Sequence, residues 1–190
     1  MILPIVAYGH PTLKKVAEDI SPDYPGLHTL ISDMWETMYA AHGLGLAAPQ
    51  VNKPIRLFLI DATPYAEEHP ELKDFKKVFI NAHITSLSGD DVIMSEGCLS
   101  IPGLNEDVNR KNSLTITYVD ENFVEHTEDY SGFIARVIQH EYDHIEGMLY
   151  VDRLSAMRKM LLKNKLKDIS EGRIDVDYKM IFPGMYRRKK

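Results

Sequence analysis

His140-Glu141-Tyr142-Asp143-His144 lies at the end of a run, Ser131 to Glu146, in which Phe133, Ile134, Val137 and Ile138 recur at helical spacing. Ser131 offers an N-cap and Gly147 a stop. Two histidines four apart share one helix face, so both rings can reach one ion. Glu141 follows the first histidine by one residue, roughly 100° around the helix. From there a carboxylate can take a proton from a water on the ion without itself ligating, and can return it to a leaving amine. A catalytic divalent metal wants three protein ligands and an open position.

The third ligand can lie downstream or upstream. Downstream, His140 to Tyr150 reads H-E-Y-D-H-I-E-G-M-L-Y, which follows a zinc-endopeptidase pattern up to its last position, where Tyr150 replaces the expected histidine. Asp152, Asp168 and Glu171 have no supporting motif around them. Upstream, Glu96-Gly97-Cys98-Leu99-Ser100 contains the chain's one cysteine. A free cysteine is usually a small buried hydrophobe, but its thiolate is also a strong ligand for zinc or ferrous iron. Cys98 with His140 and His144 would complete a three-ligand site. A third segment, Gly43-Leu44-Gly45-Leu46-Ala47-Ala48-Pro49-Gln50, is rich in small residues that let another backbone approach. Its Gln50 amide NH2 could meet a developing oxyanion; as a dinucleotide fingerprint it lacks the third glycine and a leading strand. Taken alone it also fits a packed turn.

Around these segments the pattern predicts an amphipathic helix over 26–41, closed by His42-Gly43, and strands at 56–61, 78–81, 92–94 and 114–119. Residues 122–128 pair with the last of these across an Asp120-Glu121 turn. Pro64 to Lys77 reads as a charged surface excursion with one short helix. A C-terminal helix spans about 155–169, and alternation at 174–182 suggests a last strand. The class is α+β, organised as a catalytic unit over 1–152 and a basic helix and tail over 153–190.

The net charge of −6 divides unevenly: residues 153–190 hold 12 Lys/Arg against 4 Asp/Glu, and residues 1–152 hold 10 against 24. The basic tail is either a solvated helix face or a surface for a polyanion. The longest stretch free of Asp, Glu, Lys and Arg, Thr37 to Asn52, is 16 residues, short of the roughly 20 that span a membrane. No signal peptide is evident, and a single cysteine suits a reducing cytoplasm.

In chain order the three segments resemble the three motifs of the peptide deformylase family: Gly-x-Gly-x-Ala-Ala-x-Gln, Glu-Gly-Cys-x-Ser and His-Glu-x-Asp-His, written here with His140, Glu141, Asp143 and His144. The opening from Leu3 through Tyr8-Gly9 to Lys15-Val16-Ala17 is similar to the family's N-terminus, so the resemblance covers about residues 3–155. It implies an α+β fold with antiparallel sheets packed around a central metal-binding HExxH helix, and a C-terminal helix. It implies hydrolysis of the N-formyl group from the formyl-methionine of new polypeptides, with release of formate. The implied ligands are Cys98, His140 and His144, for one divalent ion that is usually Fe(II) and that zinc, nickel or cobalt can replace. A metal-bound hydroxide would attack the formyl carbon. Glu141 would shuttle the proton, and Gln50 with the Leu99 backbone N–H would hold the oxyanion.

The methionine pocket is expected from Gly43, Leu44, Phe133, Val137 and the His140 ring, the peptide backbone from Gly45 and Leu46, and further substrate contacts from Glu96 and Gly97. Asp143 and Glu96 are candidates to support the ligands, with Arg110 as a partner. No role is assigned to His10, His28, His42, His69, His83 or His126. The excursion at 64–77, the positions around Gly103-Leu104-Asn105 and the tail after Asp152 vary in the family, and some members carry a basic residue where Asn105 stands. In some bacterial members a basic C-terminal helix docks on the ribosome, which Arg158, Lys159, Lys163, Lys165 and Lys167 would permit. No membrane and no sequence-specific nucleic acid is expected. The rival readings are a zinc endopeptidase and a non-catalytic, ribosome-associated metal-binding module. A Cys98 nucleophile with a histidine base leaves the second histidine and Glu141 without a task.

Overall fold

The computed structural model describes residues 1–183. Five strands form an antiparallel sheet in the order β2 (Gly45–Ala47), β3 (Leu57–Asp61), β4 (Lys76–Cys98), β5 (Ile101–Val119) and β6 (Glu125–Ser131). A second, two-stranded sheet pairs β1 (Ile5–Val6) with β7 (Met180–Ile181). Three helices accompany them: α1 (Leu27–Ala40), α2 (Gly132–Ile145) and α3 (Ala156–Ser170). The class is α+β, as the pattern predicts. The small sheet is parallel, however, so only the large sheet meets the expectation of antiparallel pairing.

Strand β3 shows why its five residues are all apolar or buried. Phe58 and Ile60 point into a core shared with Ile134, Val137 and Ile138 of α2, whereas Leu57 and Leu59 point to the opposite face, into a core shared with Ile31, Met34 and Met38 of α1. A strand covered on both faces loses polar alternation. A third core gathers Leu162, Leu166 and Ile169 of α3 with Val6, Leu13, Ile101, Leu104 and Tyr150.

Two strands are far longer than their sequence suggests. The segments 78–81 and 92–94 are parts of one strand, β4, and 114–119 is the end of β5. The polar run Ser86 to Asp91 resembles a turn, but it is accommodated by register shifts against β5, one of them between Ser88 and Asp91 around Gly89 (φ 76°). Such bulges place an extra residue without ending the strand. At the other end, Asn81 adopts φ 51°, and its side-chain amide bonds both the N–H and the carbonyl of Ile20. The predicted last strand at 174–182 shrinks to Met180–Ile181.

Helix ends are set by local chemistry. Gly147 (φ 71°) follows α2, with Gly147 N–H bonded to the His144 carbonyl and Met148 N–H to the Asp143 carbonyl, the paired bonds of a Schellman stop. A Cβ on Gly147 would lie 2.8 Å from the Lys14 carbonyl oxygen. Ser131 occupies the N-cap of α2 but its side chain makes no capping bond. Helix α1 closes the same way as α2, except that His42 (φ 55°) rather than Gly43 takes the left-handed conformation. The excursion at 64–77 contains two 3₁₀ turns, Thr63–Tyr65 and Pro70–Leu72, and Leu72 and Phe75 enter the core beneath α2, so it is not purely a surface element. Among the described residues no helix is long and apolar enough to cross a membrane.

Candidate metal centre and catalytic cleft

Helix α2 is buried on nearly every side. Arg136, Gln139, Glu141, Asp143 and His144 are each no more than 6% exposed. Buried polar groups need partners, and the partners define the site. His140 Nδ1 lies 2.9 Å from Glu96 Oε2. Donation from Nδ1–H leaves the Nε2 lone pair free to ligate. Cys98, at the end of β4, places its sulfur 3.3 Å from His144 Nε2. One donor atom from each of Cys98, His140 and His144 falls within 4.8 Å of the other two, and no other such trio occurs among the described residues. One thiolate and two imidazoles at that spacing fit a divalent transition metal held by three protein ligands.

The support beneath the trio is a buried ion network. Glu96 accepts from Arg110 Nε (2.7 Å) and Arg136 Nη1 (2.9 Å) on one oxygen, and from Arg110 Nη2 (2.9 Å) and His140 on the other. Burial by itself would raise the Glu96 carboxyl; the hydrogen bonds from Arg110 and His140 outweigh it and hold the group well below the usual carboxylate range. Arg110 also donates to Asp143 at 2.8 Å, and Asp143 receives Arg153 as well. Arg110 therefore pairs with both Glu96 and Asp143. Arg136 escapes the sequence reading: it sits mid-helix and joins Glu96 to the Val108 carbonyl, a contact no local pattern signals.

Glu141 differs from its acidic neighbours. Its Oε2 is buried without a hydrogen-bond partner. Burial pushes its carboxyl up to about 7, so it can hold or release a proton near neutrality. Burial, with the charges of His140 and Arg110, keeps His144 well below the ordinary imidazole range, in the neutral form a metal ligand requires. Gln50 is 2% exposed and fixed in orientation: its Oε1 accepts from Ala47 N–H at 2.8 Å, which turns Nε2 toward Cys98 Sγ (3.5 Å) and Ser100 Oγ (3.3 Å).

Gln50, Cys98, His140 and Glu141 open on one cavity of about 630 Å³, whereas the buried His144 does not line it. Gly43, Leu44, Gly45, Gln50, Glu96, Gly97, Cys98, Leu99, Phe133, Val137, His140 and Glu141 all line it. Leu46 does not: its side chain is fully buried in the α1 core. Glu96 lines the cavity, but both its oxygens are already engaged. Tyr65, from the excursion and outside the sequence reading, also lines it and lies 5.0 Å ring to ring from Phe133; His69, behind the lining, stacks on the same phenyl at 5.0 Å. Asp175 to Tyr178, near the C-terminus, form part of the wall. Tyr150, where an endopeptidase would carry its third ligand, instead donates its hydroxyl to the Leu104 carbonyl at 2.7 Å and stacks its ring against His140 at 26°, 6.0 Å away.

The chain has close relatives among known proteins. The family profile described as polypeptide deformylase matches residues 2–160. The chain is 57% identical to the peptide deformylase of Christiangramia forsetii, covering 96% of this chain and 97% of that one. It is 54% identical to the peptide deformylase of Flavobacterium johnsoniae, covering 96% of each. Among solved structures it is similar to a peptide deformylase from Legionella pneumophila, with a TM-score of 0.79 at 34% identity over 91% of this chain and 98% of that one. It also resembles the Synechococcus elongatus peptide deformylase in complex with actinonin, with a TM-score of 0.75 at 34% identity over 94% and 92%. With a family profile spanning most of its length and relatives above 50% identity end to end, the chain belongs to the polypeptide deformylase family.

Proposed function

We propose that the chain is a metal-dependent hydrolase that removes the N-formyl group from the formyl-methionine of newly made polypeptides and releases formate. The observation that carries this reading is the Cys98-His140-His144 donor trio beside one cavity that Cys98, His140, Glu141 with its unpartnered oxygen, and Gln50 all line. When bound, a divalent ion supplies Lewis acidity to the water and the formyl oxygen; Fe(II) is the ion we assign, with zinc, nickel or cobalt as replacements.

Glu141 Oε2 accepts the proton of the water that adds to the formyl carbon, and returns it to the amine nitrogen as the C–N bond breaks. Gln50 Nε2–H and the Leu99 backbone N–H donate to the carbonyl oxygen as it gains charge. Glu96 acts through His140 by fixing its ring, rather than by touching substrate. Gly43, Leu44, Phe133 and Val137, with Tyr65, surround the methionine side chain. Strand β2 is the free edge of the large sheet, so the substrate backbone can extend it through Gly45 and Leu46; Gly97, in the cavity wall, is a further substrate contact.

Residues 1–152 act as the catalytic unit, and the basic helix α3 packs on the same domain through Leu162, Leu166 and Ile169; the end of the tail, 184–190, lies outside the described residues. Ribosome docking falls to Lys163, Lys165 and Lys167, which are exposed on α3. Arg158 is engaged with Glu106, and Lys159 with the Asp152 carbonyl. We place the enzyme in the cytoplasm.

Formate release from formyl-Met-Ala peptide tests the reading, using protein loaded anaerobically with Fe(II) and a Glu141→Ala control. Turnover that collapses in the control is expected. Stoichiometric metal without turnover would overturn the enzyme and favour a binding module. Retained peptidase activity in Cys98→Ser would favour an endopeptidase, against which the engaged Tyr150 hydroxyl already argues.

A further inference from the structure

We infer that the C-terminal strap Asp175–Tyr178 is the outer wall of the catalytic cleft, and that its two carboxylates favour peptides with a Lys or Arg shortly after the formyl-methionine. The inference rests on the deformylase reading of the site.

The strap is fastened at its C-terminal end. Beyond it, Ile5 N–H bonds the Lys179 carbonyl and Ala7 N–H the Ile181 carbonyl, each at 2.9 Å, as β7 pairs with β1. Within it, Tyr178 donates its hydroxyl to the Leu99 carbonyl at 2.7 Å, and its ring packs against the α1 core. These ties hold residues 175–178 beside Leu99, in the wall of the same cavity as Cys98, His140 and Glu141.

The cleft has a closed end and an open end. Glu141, with its unpartnered oxygen, is 4% exposed and Gln50 2%, whereas the side chains of His42 and Asp177, 4.0 Å apart on the rim, are 81% and 75% exposed. A peptide whose formyl group reaches Glu141 must leave across that rim. The charges it meets there are one-sided. Among the described residues no lysine lines the cavity, and the one arginine that does, Arg136, is committed to Glu96 and to the carbonyls of Val92 and Val108. Asp175 and Asp177 remain, joined by His42. Exposed ion pairs of this kind are worth about two- to fivefold in binding per charge.

The test compares kcat/KM for formate release from formyl-Met-Ala-Lys, formyl-Met-Ala-Ala and formyl-Met-Ala-Glu amides, on metal-loaded full-length protein and on Asp175→Asn/Asp177→Asn. At low salt the lysine peptide should exceed the glutamate peptide by about tenfold, mostly through KM. The ratio should fall to about twofold in the double variant, and should shrink in the parent as salt screens the rim. A ratio near one in the parent, or an unchanged ratio in the variant, would overturn the inference while leaving deformylation intact. No formate from any of the three peptides would overturn the deformylase reading, and the inference with it.

Discussion

A methyl group built on Gly45 would lie 2.4 Å from Glu141 Oε1 and 2.7 Å from its Cδ. Strand β2 and helix α2 therefore meet at a point where only a hydrogen fits, and the glycine sets where the carboxylate can stand. Gly45→Ala should displace Glu141 rather than unfold the chain. Overpacking costs about 1–3 kcal/mol, but a 1 Å misplacement of a catalytic group costs about 10²-fold in rate. We expect kcat for formate release to drop about 10²-fold with a modest change in KM. A kcat within twofold of the parent would show that Glu141 tolerates a new position.

Arg110 is fully buried between Glu96 and Asp143. Replacing it by Met leaves two buried carboxylates short of their main cation, a change that costs about 3–5 kcal/mol. Urea unfolding of Arg110→Met should show that loss. Glu96→Ala removes the hydrogen bond that orients His140, and metal affinity measured by chelator competition should fall about 10–100-fold. Parent-like affinity would mean that His140 is held by packing alone.

The HExxH helix, its stop at Gly147 and the two other motifs were legible because their signals are local: spacing on one helix face, a glycine after the last turn, a cysteine beside a glycine. Helix α1 and the buried strand β3 were legible for the same reason. What escaped depends on residues distant in sequence. The continuity of β4 through Ser86–Asp91 is decided by its pairing with β5, not by its own turn-like composition. Arg136 carries no local signal of its task, which shows only when Glu96, 40 residues earlier, is seen beneath it. The excursion at 64–77 reads as surface because of its charges, yet Leu72 and Phe75 enter the core and Tyr65 and His69 rest on Phe133. The C-terminal strap reads as part of an alternating strand at 174–182, but its place beside the cleft depends on the parallel pairing of β7 with β1.

Glu128 provides a pH-dependent contribution far from the metal centre. Burial alone would raise its carboxyl, but hydrogen bonds from Lys77, Tyr130 and Tyr118 outweigh that and hold it below its ordinary value. A carboxyl lowered in the folded state stabilises above its unfolded value, about 4.3, and the contribution disappears as pH falls through the folded value. Glu128→Gln should thus be less stable than the parent by about 1.5 kcal/mol at neutral pH. The gap should narrow below about pH 4 in urea titrations. A gap independent of pH would assign the loss to packing.

The donor trio links metal binding to folding. Cys98, His140 and His144 come from a strand end and a helix and converge only in the folded chain, so an ion that binds them stabilises the native state by mass action, by about 4 kcal/mol at a thousandfold excess over Kd. Chelation should lower the melting temperature by several degrees, and adding back Zn(II) should restore it. Cys98→Ser replaces a thiolate by a hydroxyl that does not ionise near neutrality, and should weaken the metal-dependent rise while leaving the metal-free melting temperature close to that of the parent. A full metal-dependent rise in Cys98→Ser would place the ion on donors other than this trio.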